Sequence, residues 1–290
     1  MEEERMAVRR SALILVALCL MVAAAAVAAP EGDARSADGV SIRYHTEGAG
    51  EPALVFVHCW TCDRHLWDGQ VARFAKDHQV VTLDLAGHGE SGKNRQQWTI
   101  PAFGEDVKAV VEALKLNKVV LIGHSMGASV ILEAAKQMPG RVVGLVPVEA
   151  LATVDDRMPA EQIDTILGAF RENFGAAARR FAEMQVVDST APALRERISK
   201  GMAASPPDIA IPTLSAIWHY DARPLLAVTK VPVVGIVSDR FPPKLADLRK
   251  YAPQAELLTL PGVGHYVMEE SPDKFNDLLA QALGKFGPAK

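Results

Sequence analysis

Cysteine is scarce in this 290-residue chain, with three in all, and two of them form the motif Cys59-Trp60-Thr61-Cys62. A lone C-x-x-C reads as a redox pair, as half a zinc site, or as two small packing residues bridged after export. No second C-x-x-C and no H-E-x-x-H occurs, so zinc is not expected. A thioredoxin-type motif belongs at the start of a helix in a much smaller fold, so the packing reading is preferred over redox chemistry. An excess of positive charge is also missing: 31 Lys and Arg against 35 Asp and Glu leave a net charge of −4. Without a basic stripe or a base-stacking module, no nucleic-acid partner is expected.

What is present is an ordinary globular composition, 49% hydrophobic and 23% charged. The length suits one large α/β domain with an insertion, or two domains. Arg5, Arg9 and Arg10 precede an uncharged run over 12–29 that becomes alanine-rich and offers Ala26-Val27-Ala28 as a small-x-small cleavage site. Residues 1–28 are therefore expected to be a secretory signal, with export to the periplasm or beyond. Glu2, Glu3 and Glu4 are unusual ahead of such a run, and its length leaves an uncleaved membrane anchor as the alternative.

From residue 40 the pattern becomes regular. Apolar, β-branched runs over 40–45, 53–57, 80–85, 119–122 and 142–148 read as strands. Between them Trp67, Val71 and Phe74, then Phe103, Val107, Val110, Val111 and Leu114, recur at helical spacing, and Pro101 favours a helix start. Strands alternating with amphipathic helices predict a parallel sheet covered on both faces. The rhythm stops over 151–223, where Ile163, Ile166, Leu167, Phe170 and Phe174, then Leu194, Ile198 and Met202, repeat at helical spacing. A helical insertion is expected there. Strands resume over 231–237 and 255–260, and a last helix has Ser271 as N-cap, Pro272 at its first position and Phe275, Leu278, Leu279, Ala282, Leu283 and Phe286 on its buried face.

The chemistry centres on residues 118–131, KVVLIGHSMGASVI. A buried strand breaks into Gly123-His124-Ser125-Met126-Gly127 and helix-forming residues follow, the Gly-x-Ser-x-Gly pattern of a nucleophile elbow. Glycines two positions either side are needed because a Cβ there would strike the neighbouring backbone. The turn exposes the serine hydroxyl at the carboxyl edge of the sheet, and the N-terminus of the next helix points free N–H groups at an oxyanion forming there. Ser125 is thus the candidate nucleophile. Its base must come from another loop at that edge. His265 qualifies, since it follows the strand ending at Leu260 in Pro261-Gly262-Val263-Gly264-His265. For the carboxylate, Asp239 directly follows the strand Val233 to Val237 and gives the chain order Ser, Asp, His; Glu149, at the end of the strand after the elbow helix, competes.

With these pieces in place, the chain from about residue 39 onward resembles the α/β-hydrolase family. The matching residues are His58, the Asp84 to Ser91 turn of D-x-x-G-H-G-x-S form, the elbow, and Gly262-Val263-Gly264-His265 with Glu270 and Pro272 behind it. The resemblance implies an α/β fold with an eight-stranded, mostly parallel sheet and a helical cap (151–223) after the sixth strand, inside a core of 39–150 and 224–290. It also implies an oxyanion hole from the backbone N–H groups of Met126 and Trp60. Two departures stand out. The family's usual His-Gly is His58-Cys59 here. Counted without a gap, the family's acid position falls on Phe241. Asp239 is preferred over Glu149 because it needs the smaller rearrangement.

The function expected is an exported serine hydrolase of small carboxylic esters or lactones that uses neither cofactor nor metal. Its partner is a small-molecule substrate, with membrane contact only through the N-terminal segment. Trp60, Phe174, Phe181, Trp218, Tyr220 and Phe241 are candidates for an apolar pocket under the cap. The alternatives are a low-turnover ligand sensor on the same fold, a peptidase, or a carbon–carbon bond hydrolase.

Overall fold

A computed structural model of the protein describes residues 30–151, 154–240 and 242–286. The expected signal segment and Phe241 lie outside the described residues.

The sheet comprises β1 (Glu31–Arg35), β2 (Ser41–Glu47), β3 (Ala53–Val57), β4 (Val80–Leu83), β5 (Val119–His124), β6 (Val142–Val148), β7 (Val234–Ser238) and β8 (Glu256–Leu260). Their order across the sheet is β1-β2-β4-β3-β5-β6-β7-β8. β1 pairs antiparallel with β2 and β2 with β4, and the remaining pairs are parallel. Every residue of β3, β4 and β5 is buried, as strands covered on both faces must be.

The observed strands lie within about three residues of those expected from apolar runs. The exception is β1, which lies ahead of the expected core boundary at residue 39. Its sequence, EGDAR, has Ala34 as its one buried residue, so it shows no apolar pattern. It is an edge strand held by its ladder to β2, and the core therefore includes residues 31–35.

Helices α1 (Asp68–Phe74), α2 (Ile100–Ala113) and α3 (Met126–Gln137) connect the first parallel strands. At α2, Thr99 caps the first turn by accepting a hydrogen bond from the Ala102 N–H at 3.3 Å, and Pro101 sits in that turn. Between β6 and β7 run α4 (Ala160–Glu172), α5 (Phe174–Gln185), α6 (Pro192–Ala204), α7 (Pro207–His219) and α8 (Arg223–Val228), the helical insertion expected after the sixth strand. α9 (Leu245–Tyr251), α10 (Val267–Glu270) and α11 (Pro272–Leu283) complete the chain. Ser271 occupies the N-cap position of α11, but its side chain makes no capping bond. Among the described residues, no helix is long and apolar enough to cross a membrane.

One ion pair ties the antiparallel edge to the parallel core. Arg95 grips Asp106 of α2 with two hydrogen bonds, of 3.0 and 2.6 Å. Asp106 also accepts from the Ser36 hydroxyl at 2.6 Å and from the Ala86 N–H at 3.1 Å. The two charged side chains are 1% and 0% exposed, and Arg95 is also paired with the half-exposed Asp38 at 2.7 Å. Asp106→Ala, which leaves the buried guanidinium with Asp38 as its remaining carboxylate, should cost about 3 kcal/mol of folding free energy in urea titrations. A loss below about 1 kcal/mol, the value of an exposed pair, would show that Asp38 alone satisfies Arg95.

Candidate active site

The end of β5 forms the elbow. Ser125 has φ 53° and ψ −112°, a strained backbone conformation for a residue with a Cβ. It is held there because its N–H donates to Val148 O at 2.8 Å while its carbonyl accepts from the Ala128 N–H at 3.0 Å. The two glycines of the motif are required by contact. A Cβ on Gly123 would lie 2.2 Å from Gly127 O, and one on Gly127 would lie 2.5 Å from Val57 O. Met126 begins α3, so its N–H has no partner within the helix and points toward the serine end of the site.

His265 reaches this edge from the loop after β8. Its backbone N–H donates to Gln185 O at 2.7 Å, which ties the loop to the end of α5. Glu270 braces the loop from below, accepting from the N–H groups of Gly264 (2.9 Å) and Tyr266 (3.2 Å) and from the Thr190 hydroxyl (2.7 Å). The ring of His124 lies against that of His265, centroids 4.6 Å apart, and its Nε2 donates to His265 O at 2.8 Å. His124 is fully buried, and burial, reinforced by the adjacent His265, pushes its pKa well below the ordinary value. It is a neutral wedge that orients the loop without competing for the proton His265 would carry.

The carboxylate that faces this imidazole is Glu149. Its Oε2 lies 3.4 Å from His265 Nδ1, and its side chain is 7% exposed. Glu149 directly follows β6, at φ 50°, and its N–H donates to Ile236 O of β7 at 3.0 Å. Asp239, preferred from sequence, is turned elsewhere: it is exposed, and its Oδ1 accepts from the Gly262 N–H at 3.0 Å. The physical reason is the two-residue alternation of an extended strand. Ser238 and Asp239 leave β7 on opposite sides; Ser238 points at Glu149 and Asp239 does not.

The other half of the site is the loop after β3. Cys59 and Cys62 are joined by a disulfide, so the pair is bridged, and Trp60 and Thr61 are enclosed in the ring. His58 holds the loop from beneath. Its Nε2 accepts from the Leu85 N–H at 2.9 Å, so its Nδ1 carries the hydrogen and donates to Cys59 O at 2.7 Å. The Trp60 indole N–H donates to Ala210 O of α7 at 2.9 Å, and its ring packs edge-on against Phe170, Phe174 and Phe181. Asp84 of the D-x-x-G-H-G-x-S turn is structural, binding the Arg64 guanidinium at 2.6 Å and the backbone N–H groups of Arg64 (2.7 Å) and Glu90 (2.9 Å).

A cavity of about 530 Å³ opens at Ser125; Met126, Ser129, Glu149, Trp218 and Tyr220 line it, with Arg157 and Asp221 at 3.6 Å from each other. Of the aromatic residues considered from sequence, Trp218 and Tyr220 therefore line this cavity, while Trp60 packs against Phe174 and Phe181 of the insertion, and Phe181 in turn touches Trp218. A second cavity, about 680 Å³, lies between the 59–62 ring and α6, lined by Cys62, Arg197, Tyr266 and Glu269. It includes neither Ser125 nor Glu149 and is not the chamber of this site.

The sequence matches the alpha/beta hydrolase family over residues 54–278, which is most of the chain. The chain is an α/β-hydrolase. It is 32% identical over 251 residues to the dihydrolipoyllysine-residue acetyltransferase component of an acetoin cleaving system from Pseudomonas putida, covering 82% of this chain. This hydrolase spans only 65% of that relative's length. It is 26% identical over 250 residues to a pimeloyl-[acyl-carrier protein] methyl ester esterase from Pectobacterium atrosepticum, covering 82% of this chain and 96% of that one. In fold it superimposes on the enol-lactonase from Burkholderia xenovorans LB400 with a TM-score of 0.77 and 21% identity, over 87% of this chain and all of that one.

In this hydrolase the elbow, His265 and the loop after β3 sit at the carboxyl edge of the sheet, the edge where their strands end. Two further contributors, His124 and Ser238, carry no motif of their own. The one signal for Ser238 is its place at the last position of a buried strand beside β6.

Proposed function

We propose that this protein is an exported serine hydrolase acting on a small carboxylic ester or lactone, with Ser125 as nucleophile, His265 as base and Glu149 as the acid. The observation that carries this reading is the 3.4 Å approach of the Glu149 carboxylate to His265 Nδ1, beside a serine held at positive φ at the mouth of a cavity. A carboxylate at Nδ1 fixes the imidazole tautomer so that Nε2 is free to take the serine proton. Ser125 Oγ then attacks the substrate carbonyl, and the N–H groups of Met126 and Trp60 receive the tetrahedral oxyanion. His265 protonates the leaving oxygen, and water, deprotonated by the same imidazole, releases the acid and restores the hydroxyl. No step in this sequence calls on a cofactor or a metal ion.

A chamber of about 530 Å³ walled by Trp218 and Tyr220 suits a compact ester or lactone. The esterase and lactonase named among the relatives agree in reaction class. Export is supported by the apolar run over 12–29 and by the Cys59–Cys62 disulfide, a bond that persists in oxidising compartments.

Treating the purified protein with a fluorophosphonate and reading its intact mass should give one adduct per chain, absent in Ser125→Ala. An unlabelled, folded wild type would instead favour the ligand-sensor reading.

A further inference from the structure

We propose that Ser238 is a positioning residue for catalysis, orienting the acid of the triad. The inference rests on Glu149 being that acid. Ser238 is the last residue of β7 and is completely buried. Its backbone N–H donates to Glu149 Oε1, and its hydroxyl donates to Oε2 at 3.1 Å. One residue thus supplies a donor to each carboxylate oxygen, which fixes both the position and the plane of the group. Oε2, the oxygen that takes the hydroxyl, is also the one facing His265 Nδ1.

Glu149 has particular need of such a holder. It leaves β6 at φ 50° and carries more rotatable bonds than an aspartate would, so without fixed donors its carboxylate would sample several positions. Water reaches it poorly, since 7% of the side chain is exposed, and a buried carboxylate stays ionised only where donors replace its hydration. The backbone N–H would survive any substitution at 238 except proline. The hydroxyl is the part the sequence chose, and it sits on the working oxygen.

The titratable and charged groups around Glu149 are His265 on the β8 loop with His124 behind it. Across the shared cavity stand Asp156, Arg157, Tyr220 and Asp221. Asp239 and Arg240 follow Ser238 in the chain. Ser238 supplies a hydrogen bond to each oxygen of the Glu149 carboxylate, and His265 Nδ1 approaches Oε2 at 3.4 Å.

The test is the rate of fluorophosphonate labelling of the full chain, followed from about pH 5 to about pH 9, for wild type, Ser238→Ala, Ser238→Thr and Glu149→Gln. Urea unfolding of each variant is measured alongside. Ser238→Ala should label about tenfold to a hundredfold more slowly at neutral pH, the effect of one donor lost from a charged acceptor. Ser238→Thr, which keeps the hydroxyl, should recover most of the rate. If the alanine variant does not fold, Ser238→Cys, near in size but a weak donor, carries the comparison with the same expectation. A normal rate in Ser238→Ala, or one that Ser238→Thr fails to restore, with Glu149→Gln inactive, overturns the role of Ser238 alone. A normal rate in Glu149→Gln overturns the assignment of the acid itself.

Discussion

Glu149→Gln should lower turnover of an activated ester by roughly 10³- to 10⁴-fold, while Asp239→Asn should stay within about threefold of wild type. The two substitutions remove the same charge, and the geometry separates them. At position 149 the carboxylate lies 3.4 Å from His265 Nδ1. A carboxamide there presents an N–H or a weaker acceptor, so the imidazole is no longer held with its hydrogen on Nδ1, and the imidazolium formed during attack loses its counter-charge. At position 239 the side chain accepts one hydrogen bond from the Gly262 N–H, which the carbonyl of an asparagine also accepts. Its stability should change by less than about 0.5 kcal/mol. Steady-state kinetics on an activated ester reads the comparison directly. A dead Asp239→Asn beside a working Glu149→Gln would return the acid to the end of β7.

The second large effect concerns stability and pH. His58, His88 and His124 are buried, and in each the largest cause of a lowered pKa is burial itself. His88 is held at about 3, with the neighbouring His58 adding to the effect of burial. The Asp84 charge works against the lowering at His58 without reversing it. In the unfolded chain all three bind protons near the ordinary histidine value of about 6.5. Above that pH neither state is protonated, and the stability from keeping them neutral is fully present. As the pH falls below it, the unfolded chain takes up protons that the folded one refuses, and stability is lost until the folded pKa values are reached.

With all three contributing, the slope approaches about 4 kcal/mol per pH unit at its steepest. Urea midpoints measured from about pH 7 down to about pH 4.5 should therefore fall steeply, with two to three protons taken up on unfolding. Glu269, whose burial pushes its carboxyl up, acts in the opposite sense and only at the lower end of this range. A flat profile would mean that water reaches the rings. His88→Gln should reduce the uptake by about one proton.

The elbow was legible from sequence because three fixed positions, a buried strand and a helix all constrain the same few residues, and the close approaches of Gly123 and Gly127 are that constraint in space. The helices between β6 and β7 were legible for a simpler reason: their apolar residues repeat at helical spacing where strands would alternate. β1 was not legible, since a polar edge strand with one buried side chain is held by backbone pairing, which leaves no mark on residue type. Nor was the acid. Ser238 and Asp239 differ by one position, and one position at the end of a strand reverses the side to which a side chain points. Composition near the strand end says that a carboxylate is available; only the register of β7 against β6 says which one arrives.

Trp60 belongs to two parts of the molecule at once. Its main chain lies in the disulfide-closed loop after β3, and its indole is bonded to Ala210 and surrounded by Phe170, Phe174 and Phe181 from the insertion. The insertion is for this reason not an interchangeable module, although it enters the chain as one continuous piece. Any graft of a different cap onto this core would have to provide a carbonyl acceptor and an aromatic socket at the same place. A graft without them leaves a large ring in water at the rim of the reaction centre.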